Sequence, residues 1–504
     1  MNQSQHTRSK KMILVVACLF VTNCTLPNEH TLAKNGTAQK HSSTPKKSIH
    51  PISNTKNNLS NKKGQIDQVF PDKNRSSRTR VNDRAVFKSY QGGGHLIIDN
   101  KDAVSADFFI NGEKLTIANP LKANKRYHYR LKRRTQNGMN TFKIENVVPE
   151  GASLHITIPY PHLKNDTQYY SHLFSEVDTL IENDIDKGFP GAVLVVVHHG
   201  KIIKNSAYGY ARKFFDGGEL QKVPVQMTTE TLFDLASNTK MFATNFALMK
   251  LVSEGKLDLS LPINHYLPSY RGGGRELRTI KDLLTHQAGY APEVKFFTKQ
   301  NALGLDFFSQ DSQRTKALML TQVPFARKHL SKQIYSDTDF ILLGMLIESI
   351  TRMPLDLYVE YNIYRPLGLT NTLYNPLQKG FNKKQFAATE IYGTTRDKRV
   401  TFDNVRTYVL QGEVHDEKAF HSLVGVAGHA GLFSTGQDLA VLAQILLNRG
   451  GYGHNVIFSE QAIDQFIKPD DNGSYGLGWR RANNGESKWH FGPYASHSAY
   501  GHTG

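Results

Sequence analysis

The arrangement of apolar residues changes twice along this chain, and these changes limit what it can fold into. Residues 25–85 are rich in Ser, Asn, Lys, Thr and Gln, whereas residues 86–165 alternate between apolar and polar positions. From residue 166 onward, long amphipathic segments separate strand-like runs. The chain has 504 residues, about three to four times the length of a typical domain. The sequence therefore predicts several structural units rather than one.

Residues 1–24 have the composition of an export signal. Three cations precede an apolar run from Met12 to Val21, which is short for a membrane span. Three outcomes stay open: a cleaved signal peptide, lipidation at Cys24, or an uncleaved membrane anchor. Residues 25–85 have too few large apolar side chains to form a core, so we expect a disordered basic linker. These features predict a location in the periplasm or cell envelope, with the N-terminus able to associate with the inner membrane.

Both cysteines, Cys18 and Cys24, lie in this first segment. No disulfide can therefore cross-link the rest of the chain, and its core must be held together by packing. The formal net charge is +18, but residues 1–85 alone contain 15 Lys or Arg against 4 Asp or Glu. The remaining part is only mildly basic, which argues against a nucleic-acid partner.

Residues 86–165 predict a small β-sandwich. Apolar positions such as Leu154, Ile156 and Ile158 recur with a period of two, as in strands that bury one face. Asn111-Gly112 and Asn137-Gly138 are residue pairs that favour hairpin turns. This segment has no cluster of catalytic residue types, so we expect it to act as a spacer or a binding module.

Residues 166–504 predict a mixed α/β domain. The run Gly191–Val197 reads as a strand, and amphipathic segments follow at 241–253, 339–351 and 438–448. The helices would thus be inserted between early and late strands.

Ser237-Asn-Thr-Lys240 has the S-x-x-K form of serine acyl-transfer enzymes that use a lysine. Four other matches lie in the polar N-terminal part or across a helix end, whereas this one opens an amphipathic segment. Residues i and i+3 share one face of a helix, so the hydroxyl and the ammonium can meet. The alternative is a helix-capping serine beside a solvated lysine.

Two further motifs follow in order. Tyr335-Ser-Asp337 precedes an apolar helical segment, and the last residues read Tyr500-Gly-His-Thr-Gly504. The order S-x-x-K, Y-x-[Asn/Asp] and H-T-G resembles the penicillin-recognising serine hydrolase superfamily, on the side of class C β-lactamases and D-Ala-D-Ala carboxypeptidases. The resemblance runs from about Asp166 to the end and includes the segments 283–289, 366–372, 414–420 and 427–434. Within the superfamily, the chain looks most like the D-alanyl-D-alanine carboxypeptidases of penicillin-binding type.

The resemblance implies an α/β (α+β) serine β-lactamase-like fold, with an antiparallel sheet and an inserted helical region. It implies that Ser237 is the nucleophile, Lys240 the base and Tyr335 the proton relay. Substrate contacts would come from Asp337, His502, Thr503 and Gly504. It also implies peptidoglycan peptides or small acyl compounds as substrates, β-lactams as covalent ligands, and neither metal nor cofactor.

Two features depart from the superfamily pattern. Asp337 stands where Asn is commoner, and an ion pair between Asp337 and Lys240 would raise the pKa of the amine and oppose its role as base. The sequence also stops at Gly504, directly after the H-T-G motif, where such enzymes continue into further strands. We expect either a fragment or a defective enzyme.

The sequence leaves three functions open. An exported D-Ala-D-Ala carboxypeptidase comes first, an esterase or β-lactamase second, and a catalytically silent cell-envelope binding protein third. Among other candidates, His198-His199 reads as a turn pair rather than a metal site. His415-Asp416 and His429 could equally line the cleft or brace a loop.

Overall fold

The computed structural model describes residues 19–21, 61–71, 83–468, 475–482 and 491–504. The strands are β1 Leu19–Val21, β2 Ile66–Phe70, β3 Asp83–Ser89, β4 His95–Asn100, β5 Ser105–Ile110, β6 Glu113–Lys114, β7 Lys125–Arg130, β8 Gly138–Val148, β9 Leu154–Ile158, β10 Lys164–Asn165, β11 Gly191–His198, β12 Lys201–Phe214, β13 Leu220–Gln226, β14 Phe233–Asp234, β15 Leu373–Tyr374, β16 Ala388–Glu390, β17 Leu410–Gln411, β18 Leu432–Ser434, β19 Gly451–Tyr452, β20 Asn455–Val456, β21 Arg480–Arg481 and β22 Tyr500–His502. The helices are α1 Thr167–Tyr170, α2 Ser175–Asp186, α3 Phe246–Ser253, α4 Ile263–Tyr266, α5 Ile280–Leu284, α6 Ser312–Thr321, α7 Asp337–Thr351, α8 Leu355–Val359, α9 Glu417–Leu423, α10 Gly436–Leu447 and α11 Glu460–Ile467.

Strands β2 to β9 form a sandwich of two four-stranded antiparallel sheets, in the orders β2-β9-β4-β7 and β3-β8-β5-β6. Apolar residues from both sheets share one buried cluster, in which the rings of Phe70 and Phe142 lie 5.4 Å apart. The predicted hairpin turn at Asn111-Gly112 joins β5 to β6, and both residues adopt positive φ angles. The hairpin predicted at Asn137-Gly138 is wrong, because β7 and β8, on either side of it, belong to different sheets. Alternation with a period of two therefore places one face of each sheet in the core.

The sandwich begins earlier than the sequence predicts. Strand β2 lies inside the range 25–85 that was expected to be a disordered linker, and it pairs with β9 along its whole length. Its end residues Ile66 and Phe70 are buried in the sandwich core. The linker boundary at residue 85 is wrong because two well-spaced apolar side chains are enough to anchor a short strand. Residues 25–60 and 72–82 of the predicted linker lie outside the described residues.

The part from residue 166 onward surrounds a second, larger apolar core. Strands β10 to β13 form one sheet in which the long hairpin β11–β12 is antiparallel, and β22 pairs antiparallel with both β21 and β1. Helices α3, α7 and α10 supply much of the buried core, and they match the three predicted amphipathic segments. This arrangement of helices between early and late strands confirms the predicted fold class.

The two parts are in direct contact. The side chain of Gln444 in α10 donates a hydrogen bond of 2.7 Å to the hydroxyl of Tyr90, just after β3. The Tyr90 ring also covers Gly200, where an added Cβ would lie 2.4 Å from a ring carbon. Behind them, the Asn448 amide donates to the carbonyl of Pro161 at 2.8 Å. The sandwich therefore packs against the turn between β11 and β12 and against the end of α10.

Within the described ranges, no helix is long and apolar enough to cross a bilayer. Of the predicted signal peptide or anchor, residues 1–18 and 22–24 lie outside the described part of the chain.

Candidate active site

Ser237 and Lys240 lie on a turn that leads from β14 into α3. Ala236–Asn238 forms a 3₁₀ turn, and Lys240–Asn245 forms a π-helical segment before α3 begins, a feature often found at functional sites. The Lys240 Nζ lies 2.8 Å from the Ser237 Oγ. Ser237 is half-buried and Lys240 is completely buried. The predicted pair therefore meets, as its spacing on one helical face requires.

Acidic and aromatic groups surround the Lys240 ammonium. It donates to Asp337 Oδ1 at 2.8 Å and to the carbonyl of His429 at 3.3 Å, and it lies 4.7 Å from the ring centre of Tyr335. Burial alone would lower the pKa of Lys240, but Tyr335 and Asp337 outweigh it and raise the pKa. Lys240 is thus an ammonium at rest, as expected from the ion pair with Asp337.

The structure adds a second lysine that sequence reasoning missed. Lys418 in α9 lies 3.3 Å from Asp337 Oδ2, 2.8 Å from Asp416 Oδ2 and 2.9 Å from Glu293 Oε2. These three carboxylates outweigh burial and hold the pKa of Lys418 well above its ordinary value. The segment 414–420 carried part of the family resemblance, but nothing in its sequence gave Lys418 a role.

Asp416 and His429 belong to the same group of charges. His429 Nε2 lies 2.9 Å from Asp416 Oδ1, which also caps α9 by accepting from the Ala419 N–H at 2.8 Å. His429 therefore contacts Lys240 through its carbonyl and the cap of α9 through its ring.

Asp337, Asp416 and His429 each offer a ligand atom within 4.8 Å of one another, a spacing that could hold a metal ion. The Lys418 ammonium, however, already contacts both carboxylates. A cation thus compensates their charge, and we assign no metal to this group.

A buried carboxyl fixes the turn that carries Ser237. Asp234 Oδ1 accepts from the Ala236 N–H at 2.9 Å, and its Oδ2 accepts from the His415 N–H at 2.6 Å. Burial raises the pKa of Asp234 to about 6. Ala236 has a φ of +45°, a left-handed conformation that is strained for a residue with a Cβ. Asp234 therefore stabilises the strained residue just before Ser237.

Tyr335 and Asp337 enter the site from the start of α7. The Ser336 hydroxyl donates to the carbonyl of Ala291 at 2.6 Å, and the Asp337 N–H donates to the carbonyl of Pro292 at 2.8 Å. These bonds fix the turn on both sides of Ser336, so Asp337 faces Lys240 and the Tyr335 ring covers it.

A buried histidine lies behind this turn. His286 Nδ1 lies 2.9 Å from Asp339 Oδ2 and accepts from the Ser336 N–H at 3.2 Å. Burial lowers the pKa of His286 to about 3 and raises that of Asp339 well above its ordinary value. A neutral imidazole that accepts from Ser336 fits a protonated Asp339. The family resemblance located this segment, but its sequence did not reveal the pairing with Asp339.

The H-T-G strand reaches the same place from the end of the sequence. The His502 ring lies 5.9 Å from that of Tyr335, and a Cβ on Gly504 would lie 2.4 Å from the carbonyl of Leu235. When the Asn238 amide is oriented to donate to the His502 carbonyl (3.2 Å), its oxygen accepts from the Gly504 N–H (3.3 Å). The structure therefore brings Thr503, between these two residues, and the other six predicted residues to one site. Their roles stay predictions.

Several known proteins are similar to this chain in sequence. An N-acetylmuramyl-L-alanine amidase from Bacillus subtilis is 48% identical over 344 residues, covering 67% of this chain and 77% of that protein. A protein from Salmonella gallinarum named as a D-alanyl-D-alanine carboxypeptidase is 46% identical over 342 residues, covering 66% of this chain and 78% of the relative.

The solved structures that are similar to this chain include a penicillin-binding protein homologue from Caulobacter crescentus. It has a TM-score of 0.48 and 18% identity, and the match covers 66% of this chain and 85% of that chain. The family model named Beta-lactamase matches residues 177–504, which include Ser237, Tyr335 and His502. This chain therefore belongs to the β-lactamase and penicillin-binding protein family.

Proposed function

We propose that this protein is an exported serine hydrolase that removes the terminal D-alanine from peptidoglycan stem peptides through an acyl-enzyme on Ser237. The observation that carries the proposal is the 2.8 Å contact between Ser237 Oγ and the fully buried Lys240, in a site that the H-T-G strand completes. The relatives are hydrolases of cell-wall compounds by name, which supports the substrate class. The N-terminal segment supports export.

The geometry suggests how the reaction proceeds. Ser237 attacks the carbonyl of the penultimate D-alanine, and its hydroxyl proton must pass to a neighbouring base. Lys240 can accept this proton only as a neutral amine, which its raised pKa makes scarce at neutral pH. Acylation is therefore expected to accelerate as pH rises. Tyr335, whose ring lies against the ammonium, would carry a proton to the departing amine, and water would then release the acyl group.

The substrate would lie between the nucleophile turn and the H-T-G strand. Thr503 is partly exposed and Gly504 exposed, so both are accessible to a ligand. We assign the terminal carboxylate of the peptide to His502 and Thr503. Asp337 is held as an anion, since Lys240 and Lys418 lower the pKa of its carboxyl, and it can only accept hydrogen bonds from a substrate amide.

Release of D-alanine from a pentapeptide that ends in D-Ala-D-Ala tests the proposal. The protein should release D-alanine, and Ser237→Ala should reduce the rate by at least about a thousandfold while still binding the peptide. Labelled penicillin should form an adduct on Ser237 and not on Ser253, the other S-x-x-K serine within the described residues. Peptide release that survives Ser237→Ala would overturn the assignment.

A second candidate is cleavage of the amide between N-acetylmuramic acid and L-alanine. The amidase from Bacillus subtilis, 48% identical over 344 residues, favours it. The chemistry on Ser237 would be the same, but the acyl group would be the lactyl group of the sugar. Release of L-alanine from N-acetylmuramyl-L-alanine, without release of D-alanine from the pentapeptide, would favour this candidate.

The esterase or β-lactamase and the silent binding protein remain the other outcomes. Turnover of simple esters or β-lactams without either peptide activity would identify the first. Peptidoglycan binding with no adduct on Ser237 would identify the second.

A further inference from the structure

Lys418 is a buried cation that the motif residues do not explain. Its side chain is only 6% exposed, and its Nζ contacts carboxylates from three segments of the chain. Asp337 is at the start of α7, Asp416 caps α9, and Glu293 is in the loop after α5. A buried charge needs partners, but three carboxylates around one ammonium are more than pairing requires. The arrangement therefore suggests a role beyond satisfying Lys418.

The charges alternate from the surface to the nucleophile. Glu293, whose side chain is 39% exposed, contacts Lys418, and Lys418 contacts Oδ2 of Asp337. The other oxygen of Asp337, Oδ1, contacts Lys240, which in turn contacts Ser237. The two oxygens of Asp337 are thus divided between two ammonium groups, one of which is in contact with the nucleophile.

We propose that Lys418 is a positioning residue that shares Asp337 with Lys240, and so limits how much of the carboxylate's negative charge falls on the catalytic amine. This inference rests on the proposed use of Ser237 and Lys240 in acylation. Without Lys418, both oxygens of Asp337 could turn toward Lys240. The ammonium form of Lys240 would then be stabilised further, and fewer molecules would hold the amine that can accept a proton.

Several titratable groups face Lys240 and Lys418. Tyr335, Asp337, His286 and His502 lie around Lys240. Around Lys418 lie Glu293, Asp337 and Asp416, the last paired with His429. His286 and His502 are both held neutral because burial lowers their pKa. Among these groups, Lys418 and Glu293 contact neither Ser237 nor Lys240, so they are the best positions for substitution.

The experiment is the pH dependence of acylation by an activated ester, measured for the whole chain, four single variants and one double variant. Lys418→Met should shift the pH of half-maximal acylation upward by about one unit or more, with KM nearly unchanged. Lys418→Arg keeps the charge and should stay within a few tenths of a unit of the parent. Glu293→Gln should shift the midpoint downward, because Lys418 then compensates Asp337 more fully. The critical result is that the Lys418→Met and Glu293→Gln variants shift the midpoint in opposite directions, since a merely structural role of Lys418 would not produce this difference.

The fourth variant, Asp337→Asn, removes the group through which Lys418 is proposed to act. In this background, Lys418→Met should shift the midpoint by less than half of its effect in the parent. An unchanged midpoint in Lys418→Met, or an equal shift with and without Asp337, would overturn the proposal. If Lys418→Met does not fold, the downward shift of Glu293→Gln decides the question.

A second measurement separates this inference from the proposed function. The ¹³Cε chemical shift of Lys240 reports its protonation without turnover, and its midpoint should move with the same signs. A chain that releases no D-alanine but shows these shifts would contradict the proposed function and support the role of Lys418. A chain that releases D-alanine but shows no such change in the Lys240 midpoint would support the proposed function and contradict the role of Lys418.

Discussion

The sandwich and the hydrolase domain bury different kinds of groups. In the described part of the sandwich, the buried polar residues are Ser89, Asn100, Thr135, Asn140 and Thr157, all uncharged. The hydrolase domain, from residue 166 onward, buries ionisable groups, among them Lys240, Lys418, Asp339 and Asp234. Lys240 and Lys418 both contact Asp337. The sandwich is therefore stabilised by apolar packing, whereas part of the hydrolase domain is organised around charge.

This difference suggests that the two regions contribute differently to stability and to chemistry. Buried charges cost free energy even when they are paired, so a protein has no general reason to keep them for stability. In this chain, one group of them surrounds Ser237 and Tyr335 and includes Lys240, which contacts Asp337. The stability of the sandwich should therefore fall when core volume is removed and change little with pH. The behaviour of the candidate site should instead depend strongly on pH and less on core volume.

The largest effect should come from removing a ring from the sandwich core. Phe142 is completely buried and packs against Phe70, so Phe142→Ala should lower the free energy of unfolding by about 3–5 kcal/mol. Denaturant unfolding measures this change, and turnover at low denaturant should stay near that of the parent. Val86→Ala, at a position that is 62% exposed, is the matched control. A parallel loss of turnover in folded protein would show that the two regions do not act separately.

A smaller effect should come from the contact between the two regions. Gly200 has a φ of +71°, and an added Cβ would collide with the ring of Tyr90 at 2.4 Å. Gly112 has a similar φ of +86° but has no atom near its Cβ position. Both Gly→Ala variants should be destabilised by backbone strain of about 1 kcal/mol, and Gly200→Ala should lose more. Equal losses in the two variants would mean that the Tyr90 contact contributes nothing to stability.

The smallest effect should be a difference in how stability depends on pH. The pKa of Asp339 is raised in the folded protein, so unfolding releases its proton, and its contribution to stability falls as pH rises above the unfolded pKa. Asp339→Asn preserves a donor to His286 and should therefore gain stability relative to the parent between pH 5 and pH 8. Urea unfolding at the two pH values measures this gain.

Asp99 in the sandwich provides the opposite control. Its hydrogen bonds with Arg126 lower its pKa, so its stabilising contribution is present above the unfolded pKa and is lost as pH falls. Asp99→Asn should thus cost a little stability at neutral pH, and less at pH 3. If Asp339→Asn and Asp99→Asn changed the free energy of unfolding in the same direction at neutral pH, the contrast between the two regions would be contradicted.

The sequence predicted much of the fold because local patterns determine it. The three amphipathic segments are helices, and Asn111-Gly112 forms its turn because both residues tolerate positive φ. Strand β2 was missed because its few apolar residues, Ile66, Val69 and Phe70, lie in a mainly polar stretch, and only pairing with β9 reveals their role.

The motif residues of the site were predicted, but the groups that set their charge were not. Lys418, Asp339 and Asp234 act through contacts with residues far away in sequence, such as Lys418 with Asp337. No local period or spacing encodes such contacts. The effect of Asp337 on Lys240 was anticipated from the residue types, whereas the sharing of Asp337 between two lysines needed the structure.

The distances along the chain between the site residues also determine when the site can form. Lys240 contacts Asp337 and His429, which are 97 and 189 residues away, and the strand of His502 follows later still. All strand pairs of the sandwich lie between Ile66 and Ile158, and so precede this domain. Because chains fold from the N-terminal end as they are synthesised, and distant contacts close slowly, the sandwich should be in place first. Ser237, the proposed nucleophile, would therefore lack its full set of neighbours until the strand of His502 is in place, and the proposed reactivity would arise only then.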